Sequence, residues 1–247
     1  MYPEENLFYY CKLNVAIEFI LAEKQILLSP LIGTNDPREN KQFIFATVSD
    51  HKTKHEDLEE TDNEVSRIIR EDSKVICFSE CYKDFFGYEY SKMWAHYGDN
   101  HRGICLRIDK NEFLKENSSI IDKSLLKSIT YNEFNVRSPQ EKHKEVDHIK
   151  MRKIGKDRYL KEIFRREYLD YLFFTKDKEW ESEREVRLLH FGNPNGIEYC
   201  SIRNSLKEIH LGVDFVYNYL PSIKSLCPDV EIKKMVYKGV RLLSRHL

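Results

Sequence analysis

Short apolar runs at irregular spacing, separated by stretches of helical periodicity, constrain this chain most. Leu7-Phe8-Tyr9-Tyr10-Cys11 reads as an aromatic strand. Leu13, Ala16, Ile17, Ile20 and Leu21 then recur at helical spacing, with Asn14 as a candidate cap. Gln25 to Ser29 reads as a short strand, and the turn-rich stretch from Pro30 to Arg38 follows. Residues 50–64 are acidic and read as a solvated loop or helix start. Further strands are expected over Asp72–Ser79, Gly103–Ile108, Ser128–Tyr131, Glu183–Phe191, Ile209–Leu211 and Val230–Ile232. Short helices are expected over Ser91–Tyr97 and Val216–Leu226, and one long helix or two over Gln140–Tyr171. Strands and helices mix without a regular βαβ repeat, so the fold class is α+β. No Pro/Gly-rich linker or internal repeat divides the 247 residues, so one domain over 1–247 is expected, with a helical insertion at about 139–174.

Charge narrows the function classes. The chain has 40 Lys+Arg against 41 Asp+Glu, net -1, which excludes a strongly basic protein held on nucleic acid by bulk electrostatics. The segment Lys142–Arg166 is locally basic, ten Lys/Arg against four Asp/Glu, and is the candidate contact for RNA or DNA. A solvated helix face is the competing reading. No run of roughly 18 apolar residues exists. The start Met1-Tyr2-Pro3-Glu4-Glu5 does not read as a signal peptide, so a cytoplasmic protein without membrane contact is expected. The six cysteines mostly sit in apolar runs and read as buried free thiols. Cys77 and Cys81 with His96 or His101 match no common zinc spacing, so no metal is expected.

GxGxxG, GxxxxGK[ST], GxSxG and HExxH are all absent. Two clusters remain. In the first, Cys77-Phe78-Ser79-Glu80 precedes Met93-Trp94-Ala95-His96-Tyr97 and His101-Arg102-Gly103, a strand end and helix able to line a cleft. In the second, Trp180 precedes Glu183, Arg184, Glu185, Val186 and Arg187. On a strand, Glu183, Glu185 and Arg187 share one face, and the guanidinium favours ionised acids. A packed helix and a surface charge ladder are the bland alternatives.

Taken together these residues resemble a bacterial domain-of-unknown-function family with the pattern CFSE, MWxHYxxxHxGxCL and WxxExExR. The counterparts include Leu7–Tyr10, Thr34–Glu39, Cys77–Glu80, Met93–Leu106, Thr175-Lys176 and Trp180–Arg187. Thr34 and Arg38 stand where the family usually has Phe, and Cys11 where it often has Arg. The order of elements is also similar to ADP-ribosyltransferases, especially toxins that modify nucleic acid. That resemblance implies a split β-sandwich and NAD as co-substrate. It implies Glu185 as first and Glu183 as second choice for the catalytic carboxylate. It assigns NAD contacts to Tyr9, Tyr10, Ser79, His96, Tyr97 and Arg187. Tyr97 or Tyr10 would stack on the nicotinamide, Ser79 would position the carboxylate or the ribose, and Arg187 would keep the glutamates ionised or meet the pyrophosphate. It further implies a toxin or phage-defence effector, an RNA, DNA or protein acceptor, and an antitoxin partner. The alternatives are a non-enzymatic nucleic-acid or protein-interaction module, and a metal-dependent nuclease or hydrolase built on Glu183, Glu185, His96 and His101.

Overall fold

A computed structural model describes residues 5–41, 43, 45–50, 54–121, 124–133, 145–193 and 196–247. The strands are β1 (Asn6–Cys11), β2 (Gln25–Leu27), β3 (Ser29–Pro30), β4 (Ala46–Val48), β5 (Ser73–Ser79), β6 (Ile104–Asp109), β7 (Ser124–Ser128) and β8 (Thr130–Asn132). After these come β9 (Glu145–Asp147), β10 (Thr175–Asp177), β11 (Glu185–Phe191), β12 (Tyr199–Ser201), β13 (Leu206–Leu211), β14 (Glu231–Lys238) and β15 (Arg241–His246). Helices intervene irregularly, and the fold is α+β in one domain.

The main sheet runs β15-β14-β13-β6-β1-β5-β11-β7, with β3 also on β5. Two long antiparallel ladders flank its middle. β1 pairs with β6 over six residues, and β5 pairs with β11 over seven. Between them, β1 meets β5 only at Phe8↔Ser79. The start of β5 is paired instead with β3, at Ser29↔Val75 and Pro30↔Lys74. The end of β1 and the start of β5 therefore lie apart, and a gap opens in the middle of the sheet.

Alternation along the strands explains the packing. Leu7 and Cys11 of β1 and Ile104, Leu106 and Ile108 of β6 face one core with Ile76 and Phe78. Helices carrying Ile20 and Ile223 cover that face. Phe8, Tyr10 and Cys105 face the other way, onto Met93 and Trp94. A further core joins Val75 and Leu189 to the helix His55–Asp72 through Val65 and Ile69, and to Phe164 and Phe173.

Several boundaries differ from the sequence reading. Asn14 does not cap its helix; Lys12 occupies that position and Ala16–Leu21 is π-wound. Gln25–Ser29 is two strands, because β2 pairs with β12 while β3 joins β5. The stretch expected to be helical from Gln140 begins, within the described residues, as β9, which pairs in parallel with β4. The helix His148–Ile154 then stops at Gly155, whose φ of 89° lies outside helical space. Helical winding resumes at Lys156 and includes a π segment, Tyr159–Phe164. In the basic stretch, Arg152 pairs with Asp50, Lys156 with Glu64, Arg158 with Glu162 and Arg165 with Asp72. Those four charges are offset by the chain's own acids. Lys142 and Lys144 lie outside the described residues. No helix among the described residues is long and apolar enough to cross a membrane.

Candidate active site

The gap between β1 and β5 holds a cavity of about 490 Å³. Tyr9, Tyr10, Cys11 and Lys12 border it from one side, and Val75–Phe78 from the other. Thr34 and Asn35, then His96 and Tyr97, close two more sides, and Lys176, Glu183 and Glu185 form its charged wall.

Local chemistry aims that wall. The Asp177 carboxylate accepts from Glu179 N at 2.9 Å and caps the 3-10 helix Lys178–Glu183. Arg184 ends the helix in the left-handed region, φ 46° and ψ 50°. β11 therefore begins at Glu185, and Glu183 sits on the preceding turn rather than on the strand. The expected alternation over Glu183, Glu185 and Arg187 is corrected to that extent, because the positive φ at Arg184 interrupts it. The carboxylates still converge. Lys176 Nζ donates to Glu183 Oε2 at 2.9 Å and lies 2.7 Å from Glu185 Oε2. Ser79 Oγ donates to Glu183 O at 2.8 Å, and Glu185 N donates to the Tyr131 hydroxyl at 2.8 Å.

Behind the wall, Arg187 Nε donates to Glu185 Oε1 at 2.7 Å. Its Nη1 donates to Glu39 Oε1 at 2.6 Å and Phe173 O at 2.7 Å, and its Nη2 to Glu39 Oε2 at 3.2 Å. Glu39 is presented by the short helix Pro37–Asn40, capped by Asp36, whose carboxylate accepts from Arg38 N. Arg38 Nη1 reaches Thr175 O at 3.0 Å and ties that helix to β10. All five charged groups are buried: Glu39 is 2% exposed, Lys176 4%, Glu183 7%, Glu185 3% and Arg187 0%. Charges so enclosed persist only when paired.

Formally the five groups sum to one negative charge, three carboxylates against two cations. Burial alone would raise the Glu185 carboxyl; the Arg187 and Lys176 charges, with hydrogen bonds from Arg187 and Cys77, overcome this and hold it at about 2. Glu185 is thus ionised at neutral pH. Its Oε2 makes no hydrogen bond of good geometry, since Lys176 stands at ion-pair distance but off the bonding direction. Burial opposes charge on Lys176, but Glu185, Glu39 and Glu183 outweigh it and keep the ammonium well above its ordinary value. Burial and the neighbouring Glu183 push the Tyr97 phenol far up, so it stays a donor, and it gives a 2.6 Å hydrogen bond to Glu183 Oε1.

The sequence-selected residues separate into three groups. Glu185, Glu183, Tyr9, His96 and Tyr97 border the cavity. Tyr10 also borders it, but its hydroxyl is committed to Gly87 O at 2.6 Å and its ring packs edge-on against Trp94. Ser79 and Arg187 stand outside the lining: Ser79 donates to the Glu183 backbone, and Arg187 donates to Glu185, Glu39 and Phe173 O behind the wall. The Arg187 charge is the largest influence lowering the Glu185 carboxyl. His101 is outside the lining too, its ring lying near Trp94 and Tyr237. No group of three or more His, Cys, Asp or Glu among the described residues could hold a metal ion.

Sequence reasoning assigned no role to Lys176, Glu39 or Tyr131. A signal existed for the first two. A strand carrying Glu185 and Arg187 into a core needs partners from elsewhere, and Glu39 and Lys176 lie in the two other polar motifs quoted above.

A family model described as "Protein of unknown function (DUF2971)" matches residues 93–188. The matched segment contains Tyr97, Lys176, Glu183, Glu185 and Arg187, whereas β1, β5 and Glu39 precede it. No curated protein and no solved structure matches the chain.

Proposed function

We propose that the chain is an NAD-dependent ADP-ribosyltransferase, with Glu185 as the catalytic carboxylate. The observation that carries this reading is the ionised Glu185, held between Lys176 and Arg187 on the wall of a cavity lined with aromatic rings. The cavity volume lies in the range of small-molecule sites. Breaking the nicotinamide–ribose bond sends its electron pair to the nicotinamide and leaves an oxocarbenium-like carbon. A carboxylate fixed in a dry site stabilises that charge mainly in the transition state, where it lowers the barrier most. A lone pair of the acceptor then forms the new bond to the same carbon, and the acceptor gives up its proton to the surrounding water.

Each wall has a part in this reading. Tyr9, Tyr97 and His96 offer stacking surfaces for the nicotinamide. The exposed Lys12, at the start of the helix that follows β1, would meet the pyrophosphate. Glu183, held by Tyr97 and Lys176, borders a second cavity of about 240 Å³ together with Trp180 and His96. That is the side from which an acceptor, nucleic acid or protein, would approach. Unrestrained NAD cleavage harms the cell that carries it out, which is the chemical basis for a toxin or phage-defence role.

The test is ligand-dependent stability with turnover. NAD+ is expected to raise the Tm of the wild type and of Glu185→Gln alike, with nicotinamide released by the wild type alone. Full turnover in Glu185→Gln would refute the assignment of Glu185, and full turnover in Glu183→Gln as well would refute the reading of the site.

A further inference from the structure

The charge wall is an unequal set. Arg187 turns two of its nitrogens to Glu39 and one to Glu185. Lys176 is shared between Glu183 and Glu185. The other charged groups nearby are Asp36 and Arg38, of opposite formal charge and adjacent to Glu39 in sequence, and the exposed Lys12 on the β1 side of the cavity. The Tyr97 phenol and the Cys77 thiol are both pushed up by burial and stay neutral, and Tyr131 contributes a hydroxyl. Asp36 and Arg38 offset each other in formal charge, and Arg38 also donates to the Thr175 and Tyr171 carbonyls. Without Glu39, two carboxylates would face two cations and the set would be neutral.

We propose that Glu39, although outside the cavity lining, is a positioning residue that draws the Arg187 guanidinium onto itself and so leaves one uncancelled negative charge at the Glu183–Glu185 wall. The inference rests on reading this cavity as the site of NAD cleavage. There, NAD+ brings a positive charge on the nicotinamide ring, and in the transition state that charge moves onto the ribose carbon; an uncancelled negative charge nearer the ribose than the ring lowers the barrier, which a neutral wall would not do. In a buried site such a charge acts at short range and in a low dielectric, so its loss is felt strongly.

The test uses two probes of nearly equal shape, 1-methylnicotinamide, a cation, and nicotinamide, which is neutral. Calorimetry on the folded full chain is expected to show the wild type preferring the cation by about tenfold or more. Glu39→Gln, which can still hydrogen-bond Arg187, is expected to lose most of that preference, and Glu39→Asp to keep it. The double variant Glu39→Gln with Arg187→Met leaves Glu183 and Glu185 against Lys176 alone and is expected to regain it. It also keeps the test decisive if the single variant does not fold. In NAD turnover, Glu39→Gln is expected to lower kcat/KM by about 10- to 100-fold, since bound NAD+ and the transition state both carry positive charge.

A wild type with no cation preference, including one that binds neither probe, overturns the proposal. So does a folded Glu39→Gln variant that keeps the preference, or a double variant that fails to regain it. A wild type that prefers the cation in a Glu39-dependent way but turns over no NAD overturns the reading of the function and leaves the charge assignment standing.

Discussion

Replacing Glu185 with Gln should remove a defined, pH-dependent part of the stability. In the folded protein this carboxyl sits at about 2, against 4.5 when free. A depressed acid stabilises the fold above its unfolded value, and that contribution fades as pH falls toward the folded value. The gap of about 2.5 corresponds to about 3 kcal/mol, present in full above about pH 5 and reduced to about 1 kcal/mol at pH 3. Gln keeps the shape and can still accept from Arg187, while Arg187 retains Glu39 and Lys176 retains Glu183. The variant should therefore fold. Urea denaturation of both proteins from pH 7 to pH 3 would measure the effect. The variant should be less stable by up to about 3 kcal/mol at pH 7, and the difference should narrow by more than half by pH 3. A stability difference that stays constant over this range would refute the claim that Lys176 and Arg187 hold Glu185 ionised.

Three further outcomes are expected. Lys176→Met strands Glu183 and Glu185 beside each other without their shared ammonium; it should cost about 3–5 kcal/mol at pH 7, and the loss should shrink as the carboxyls protonate in acid, read by denaturation at both pH values. Tyr97→Phe removes the hydrogen bond to Glu183; thermal unfolding should show a loss of about 1 kcal/mol, and nicotinamide release should fall more than stability does. Gly103→Ala places a methyl group 2.3 Å from Cys11 O, between β6 and the end of β1, and should destabilise by about 2 kcal/mol or more with little soluble expression.

Five strands of the main sheet were legible because their signal is local, whereas β15 was missed and β7 and β14 were caught only at one end. β1, β5, β6, β11 and β13 are apolar runs in which alternation or full burial suffices to mark a strand. What escaped the sequence depends on distant partners. The single contact between β1 and β5 arises because β3 takes the start of β5, and a two-residue strand containing Pro30 carries almost no periodic signal. Gly155 was visible as the one glycine in a long helical pattern, but the pattern itself does not show that its φ of 89° ends the first helix there. In the site, Glu185 and Glu183 stood out through their spacing. Their convergence depends instead on the left-handed Arg184 and on Lys176, which arrives on another strand. Glu39 meets Arg187 across 148 residues of sequence, a pairing that no periodicity reports.

The most direct measurement of the central claim is nicotinamide release from NAD+ by the purified wild type and by Glu185→Gln, side by side, with folding verified for both. The account predicts release by the wild type that falls by about a hundredfold or more in the variant, since an electrostatic stabiliser of the transition state is removed. Release at equal rates, or no release and no NAD-dependent stabilisation in a well-folded wild type, would contradict it.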